Sequence, residues 1–110
     1  MDKQATIPKQ CVDELQNHLQ PELFKSLCDA NRLSIVAFLA VQTSPITVGV
    51  LADQFGIDIS GVSRHLKMLK DAKVLNAEKQ GREVYYSLNC GQLTSTLRGL
   101  ADALDACCNN

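Results

Sequence analysis

Residues 48–70 read VGVLADQFGIDISGVSRHLKMLK, and the fold turns on whether this stretch forms one helix or two. Val48, Leu51, Ala52 and Phe55 recur at i, i+3, i+4 and i+7, the period of an amphipathic helix. Thr47 can cap its start and Gly56 supplies a stop. A few residues on, a second helix is expected from near Ser60 to about Ala72. At about 100° per residue, Ile59, Val62, Leu66 and Leu69 fall on one side and Ser60, Ser63, Arg64, Lys67 and Lys70 on the other. Two helices on a short turn, the second basic and polar outside, form a helix-turn-helix signature.

Working outward, VLNAEKQGREVYYSL (residues 74–88) changes period. Val74-Leu75 and Val84-Tyr85-Tyr86 flank Gln80-Gly81, which predicts a two-stranded wing with Lys79 and Arg82 beside its tip. Towards the N-terminus, RLSIVAFLAVQ (residues 32–42) carries too many apolar residues for a narrow stripe and predicts a largely buried central helix, capped by Asp29 or Asn31 and ended by Ser44-Pro45. Pro21 suits the first turn of a short helix that buries Leu23, Phe24 and Leu27. Val12, Leu15 and Leu19 mark a first helix over about residues 8–19. Leu93, Leu97, Leu100, Ala101 and Leu104 mark a last one from about Gln92, whose stripe lacks a partner in this count. The expected fold is mainly α with a small β-hairpin, a winged helix-turn-helix in one domain over residues 1–110.

The 110-residue chain is 45% hydrophobic and 21% charged, with a net charge of −1. No window approaches a membrane-spanning run, and MDKQATIPKQ lacks the apolar core of a signal peptide, so no membrane partner and a cytoplasmic location are expected. The small net charge hides an asymmetry. Residues 60–82 hold six basic side chains against two acidic ones, +4, while the remainder carries five basic and ten acidic, −5. Exposed charges act mostly within a Debye length of about 8 Å, so a locally basic surface attracts a polyanion whatever the total.

A solvated helix face is the plain reading of such a run. Double-stranded DNA is favoured over it because helix, turn, helix and hairpin coincide with the charge asymmetry. In that reading Arg64 reads a base edge, Ser60 and Ser63 donate to base or phosphate, and Lys67 and Lys70 bind phosphate. Lys79 and Arg82 contact backbone or an adjacent minor groove. His65 lies near the apolar side, and a packed histidine and a DNA contact are both open. Only His18 and His65 exist, and no Gly-rich phosphate loop or nucleophile elbow occurs, so an enzyme is not expected. A winged helix used only for protein contacts is a further alternative.

LFKSLCDANRLSIVAFLA (residues 23–40), ISGVSRHLKMLKDAKVL (residues 59–75) and KQGREVYYSL (residues 79–88) together resemble the ArsR/SmtB family of bacterial winged-helix metalloregulators, over roughly residues 22–104. The resemblance implies a homodimer built by the first and last helices. It also implies a repressor on an inverted-repeat operator, released by an inducer ion.

The sensor must then be argued residue by residue. One site of this family is a Cys-x-Cys on the helix before the recognition helix, but ITVGVLADQ has no cysteine. Another uses Asp and His on the last helix, but GQLTSTLRGLADALDACC has no histidine. Cys107 and Cys108 on the last helix and Cys11 on the first remain. Soft thiolates in a trigonal set suit trivalent arsenic or antimony better than tetrahedral zinc. Whether Cys11 joins from its own subunit or the other is open. An unstructured tail pair with Cys11 as filler is the bland alternative, and a thiol redox or reactive-sulfur sensor is the rival function. Cys28 and Cys90 are left outside the site.

Overall fold

The computed structural model describes residues 9–108, so the expected helix start at residue 8 lies outside the described residues. Helix α1 (Lys9–His18) leads into α2 (Pro21–Leu27), which begins on the proline, and α3 (Ala30–Ala40) follows. Asp29 is the N-cap of α3, its carboxylate accepting from the Arg32 backbone N–H at 3.1 Å. A two-residue strand β1 (Ile46–Thr47) precedes α4 (Val48–Phe55), α5 (Ile59–Asp71), β2 (Leu75–Gln80), β3 (Glu83–Leu88) and α6 (Cys90–Cys108). No helix among the described residues is long and apolar enough to cross a membrane.

The expected two-strand wing is a three-stranded antiparallel sheet in the order β1-β3-β2. β1 pairs Ile46 with Tyr86 and Thr47 with Tyr85. Two residues cannot show an alternation, which is why this strand left no pattern in the sequence. The hairpin register pairs Gln80 with Glu83, so the tight turn is Gly81-Arg82 rather than Gln80-Gly81. Gly81 has φ +64°, the positive value needed at the first position of a type II′ turn.

The core lies between α2, α3, α4, α5 and the sheet: Leu23, Ile35, Leu39, Leu51, Ala52, Val62, Leu66, Leu69, Val74 and Leu75 are buried. Each of the leucine, isoleucine and valine side chains contributes about 1.5–3 kcal/mol by leaving water. Phe38 and Phe55 meet edge to face with centroids 5.6 Å apart. The central helix is less buried than expected, because only Ile35 and Leu39 of α3 are inside and Leu33 is 51% exposed. Ile59, expected on the inner side of α5, is 56% exposed. Ile57 takes its place, joining Val62 against the core; as N′ and N4 of α5 the two form a hydrophobic staple.

At the other end of α5, the Val74 N–H donates to the Leu69 carbonyl and the Lys73 N–H to the Lys70 carbonyl, both at 2.9 Å. This is a Schellman ending. Its left-handed residue is Lys73, with φ +67°, where glycine is usual. Asn89 pins the corner by donating its amide to the Lys73 carbonyl at 3.1 Å.

Helices α1 and α6 pack on each other, and α1 buries no residue completely. Gly99, Ala103 and Cys107 recur every fourth residue on α6. A Cβ at Gly99 would overlap the His18 ring, so the glycine sets how closely the two helices approach. The described chain extends over 56 × 24 × 20 Å with a radius of gyration of 17.5 Å, against about 13 Å for a spherical domain of this length.

Candidate nucleic-acid interface and thiol pair

The outer face of α5 is held in place by its own ends. Asp58 is the N-cap: its carboxylate accepts from the Gly61 N–H at 3.3 Å and from the Ser60 hydroxyl. Those two hydrogen bonds, the Ser60 hydroxyl first and the Gly61 N–H second, with the nearby Arg64 charge, hold Asp58 below the usual carboxylate range. Ser60 is exposed but its hydroxyl proton is committed to the cap. Ser63, Arg64, Lys67 and Lys70 stand exposed along the same helix, above a row of Val62, Leu66 and Leu69 that solvent does not reach. Lys67 reaches Asp71 at 3.0 Å across one turn. Both ends of that pair are exposed, so it is worth a few tenths of a kcal/mol and yields readily to a phosphate.

On the wing, Lys79 is exposed on β2 and Arg82 stands in the tight turn itself. The structure therefore sets Ser63, Arg64, Lys67 and Lys70 on one exposed helix, and Lys79 and Arg82 at the tip of the neighbouring hairpin. His65 is half-buried and faces inward to Arg32, whose Nη1 lies 3.3 Å from its Nδ1. Arg32 and Asp58 were not singled out by sequence reasoning. Asp58 sits two residues before Ser60, where a capping carboxylate could have been sought; Arg32 is 33 residues from His65, and only the tertiary fold joins them.

The cysteines divide. Cys11 and Cys107 face each other across the α1–α6 seam. The Cys11 thiol beside it, followed by burial and by the nearby Cys108 and Glu14, pushes the Cys107 thiol up to about 11. Cys108 is exposed, and among the described residues no three ligand-type side chains converge on one point. Adjacent positions on an unbroken helix diverge by about 100°, so α6, helical through Cys108, cannot present both of its thiols to Cys11. Two of the three sulfurs thus stand together, and the third, on the next residue, is turned away from them. Cys28 and Cys90 are exposed and stand apart from this pair.

Residues 27–77 match a family described as "Helix-turn-helix domain". Over 83 residues the chain is 30% identical to the transcriptional repressor SdpR of Bacillus subtilis, covering 76% of this chain and 90% of that protein. Over 89 residues it is 34% identical to the arsenical resistance operon repressor of the same organism, covering 78% and 84%. Its backbone is similar, with a TM-score of 0.56 and 23% identity over 93% of this chain and 87% of the other, to a homodimeric winged helix-turn-helix DNA-binding domain from Mycobacterium bovis, a possible ArsR-family regulator. With the capped basic helix, the three-stranded wing and these relatives together, the chain belongs to the ArsR/SmtB family of winged helix-turn-helix regulators.

Proposed function

We propose that this protein is a DNA-binding transcriptional repressor that dimerises through α1 and α6 and leaves its operator when trivalent arsenic or antimony binds Cys107, Cys11 and Cys108. The observation that carries the reading is the placement of two features on one chain. A capped cationic helix face lies on one part of the fold, and the facing thiols of Cys11 and Cys107 lie on the seam that a partner would cover.

Dimerisation is supported by the apolar side chains left over on that seam. Leu97 and Leu104 of α6 are 41% and 42% exposed, and Val12 on α1 and Leu19 just beyond it are also open to water. A two-fold axis through this arm puts two copies of α5 on one side of the assembly. The operator then has two inverted half-sites about one helical turn apart, roughly 34 Å. Arg64 and Ser63 enter the major groove, Lys67 and Lys70 bind phosphate, Lys79 and Arg82 grip the backbone or minor groove beside it, and Ser60 serves mainly through the cap.

The protonated state of Cys107 bears on the inducer. Binding a divalent cation must expel the thiol protons, which a thiol titrating near 11 resists. A trivalent metalloid hydroxide condenses with neutral thiols by releasing water, so the same pair favours it over zinc. Cys108 joins the set by unwinding the last turn of α6, and that rearrangement of the seam is what would couple the thiols to the spacing of the two α5 helices.

The rival reading, a redox or reactive-sulfur sensor, draws on the same facing thiols: a hydroperoxide could oxidise Cys11 and Cys107 to a disulfide, the pair losing two electrons and two protons to it. The protonated Cys107 weakens it, because the thiolate is the nucleophile.

The test is a fluorescent duplex selected by the protein from a random-sequence pool. The reading predicts an inverted repeat, affinity that falls steeply with added salt, and release by arsenite under excess reductant. No binding even at low salt would leave the winged helix to protein contacts. Binding released by hydroperoxide and untouched by arsenite would transfer the function to the redox reading.

A further inference from the structure

The DNA reading above leaves one polar contact of α5 unexplained. Arg32, in the first turn of α3, sends its guanidinium to three acceptors. Nε donates to the Ser26 carbonyl at 2.6 Å, Nη2 to the Lys25 carbonyl at 3.4 Å, and Nη1 to Nδ1 of His65 at 3.3 Å. The first two acceptors belong to the last turn of α2, where the Lys25 carbonyl also accepts the Cys28 N–H of the C-cap at 3.2 Å. The third is on the helix that carries Arg64 and Lys67. Arg32 is itself held from behind, since its backbone N–H caps onto Asp29.

A guanidinium carries only N–H donors and does not give up its charge. The imidazole nitrogen facing it must therefore present a lone pair, which fixes the proton of His65 on Nε2. No hydrogen-bond partner within the described residues takes that Nε2–H. Nor is it a buried orphan, because no buried side-chain nitrogen or oxygen among the described residues lacks a partner; Nε2 therefore reaches solvent. Around α5, His65 sits on the flank, between the buried row of Val62, Leu66 and Leu69 and the exposed row of Arg64 and Lys67. When the exposed row faces the floor of a groove, the flank faces its wall, where the phosphates are.

We infer that Arg32 is a positioning residue for DNA recognition: by holding Nδ1 of His65 as an acceptor, it makes His65 an Nε2–H donor to a phosphate oxygen beside the recognition helix. The inference rests on α5 being the DNA-reading helix. It gives His65 one role that unites a packed histidine and a DNA contact, with one ring nitrogen serving each. It also ties the end of α2 and the start of α3 to the donor that α5 offers.

Two measurements on the full chain test it. The first is the tautomer of His65 from long-range proton–nitrogen NMR spectra of the free reduced protein. The proton is expected on Nε2 in the wild type and distributed over both nitrogens in Arg32→Met. The second is affinity for the selected duplex and for a random duplex. His65→Gln keeps a donor near the Nε2 position without needing Arg32, whereas His65→Asn places its amide near Nδ1.

The expected result is that His65→Asn weakens binding about 3–10-fold on both duplexes alike, the worth of one hydrogen bond, while His65→Gln stays within about 2-fold. Arg32→Met should weaken the His65 protein by a similar factor and the His65→Gln protein much less, a coupling that a purely structural role would not produce. Should Arg32→Met fail to fold, the wild-type tautomer and the Gln–Asn contrast still decide. A proton on Nδ1, equal losses for Gln and Asn, equal effects of Arg32→Met in both backgrounds, or a loss confined to the selected sequence would each overturn the proposal. If the wild type binds neither duplex, it is the DNA reading that fails, and the NMR result stands apart from it.

Discussion

The two ends of this molecule are built to different standards. The α4–α5–wing end is closed: Thr47 and Asp58 cap its helices, a Schellman turn ends α5, and Leu51, Val62, Leu66, Leu69 and Val74 are inaccessible to solvent. The α1–α6 end is open: α1 has no fully buried residue, α6 buries only Thr96 and Ala103, and leucines remain in water. The part that presents cationic side chains is thus complete within one chain, while the part that carries the thiols leaves an apolar seam uncovered. In the proposed dimer, a sensor at that open end alters how the two α5 helices are spaced without having to deform either of them.

That contrast can be broken most sharply by truncating one leucine at each end. Leu66→Ala should cost about 2–5 kcal/mol of unfolding free energy, a large part of the total for a domain of this size. Leu97→Ala with Leu104→Ala should leave the secondary structure intact and raise the dimer dissociation constant, read by sedimentation. If the second pair destabilises as much as the first, the open end is a core after all.

A smaller effect separates charge from packing. Arg64→Ala with Lys67→Ala should weaken operator binding by about 10–100-fold with the melting temperature unchanged, since the exposed Lys67–Asp71 pair adds little stability. A fall in melting temperature with unchanged affinity would place these side chains in the fold rather than on DNA.

The thiol seam should show its own pH signature. Cys11 beside it pushes the Cys107 thiol up to about 11, from an ordinary value of 9.0. The group is held neutral by the folded state, so its stabilising contribution is complete below about pH 9 and is lost as the pH rises towards 11. Denaturant midpoints of wild type and Cys107→Ser, compared between pH 8 and 11, should converge across that window. A constant difference would mean that Cys11 does not lie against Cys107 in solution.

The smallest effect lies at the corner after α5. Lys73→Gly removes a side chain from a left-handed position and should stabilise the protein by about 0.5–1 kcal/mol, a rise of a few degrees in melting temperature. No change would mean that Lys73 gains elsewhere what its backbone loses.

The closed end was legible in the sequence because local signals and tertiary packing agree there. The Val48, Leu51, Ala52, Phe55 pattern, the Thr47 cap, Gly56 and the Val62, Leu66, Leu69 stripe each lie where the structure has them. What escaped depended on partners distant in the chain. β1 exists through its pairing with Tyr85 and Tyr86, and Arg32 matters through a contact 33 residues away. The start of α5 departs from expectation for a different reason: Ile57 and Ile59 have the same hydrophobicity, and only the cap at Asp58 decides which of them turns inward. The arrangement of Cys11, Cys107 and Cys108 is not legible in the sequence, because it depends on α6 staying helical through Cys108, which points neighbouring sulfurs apart.

The most direct test of the coupling between the two ends is the dissociation constant of the selected operator for the wild type and for Cys107→Ser, each with and without arsenite under reducing conditions. The account predicts that arsenite weakens the wild type by about 5–150-fold and leaves Cys107→Ser unchanged, with both proteins binding equally well in its absence. Equal weakening of the two, or no weakening of either, would contradict it.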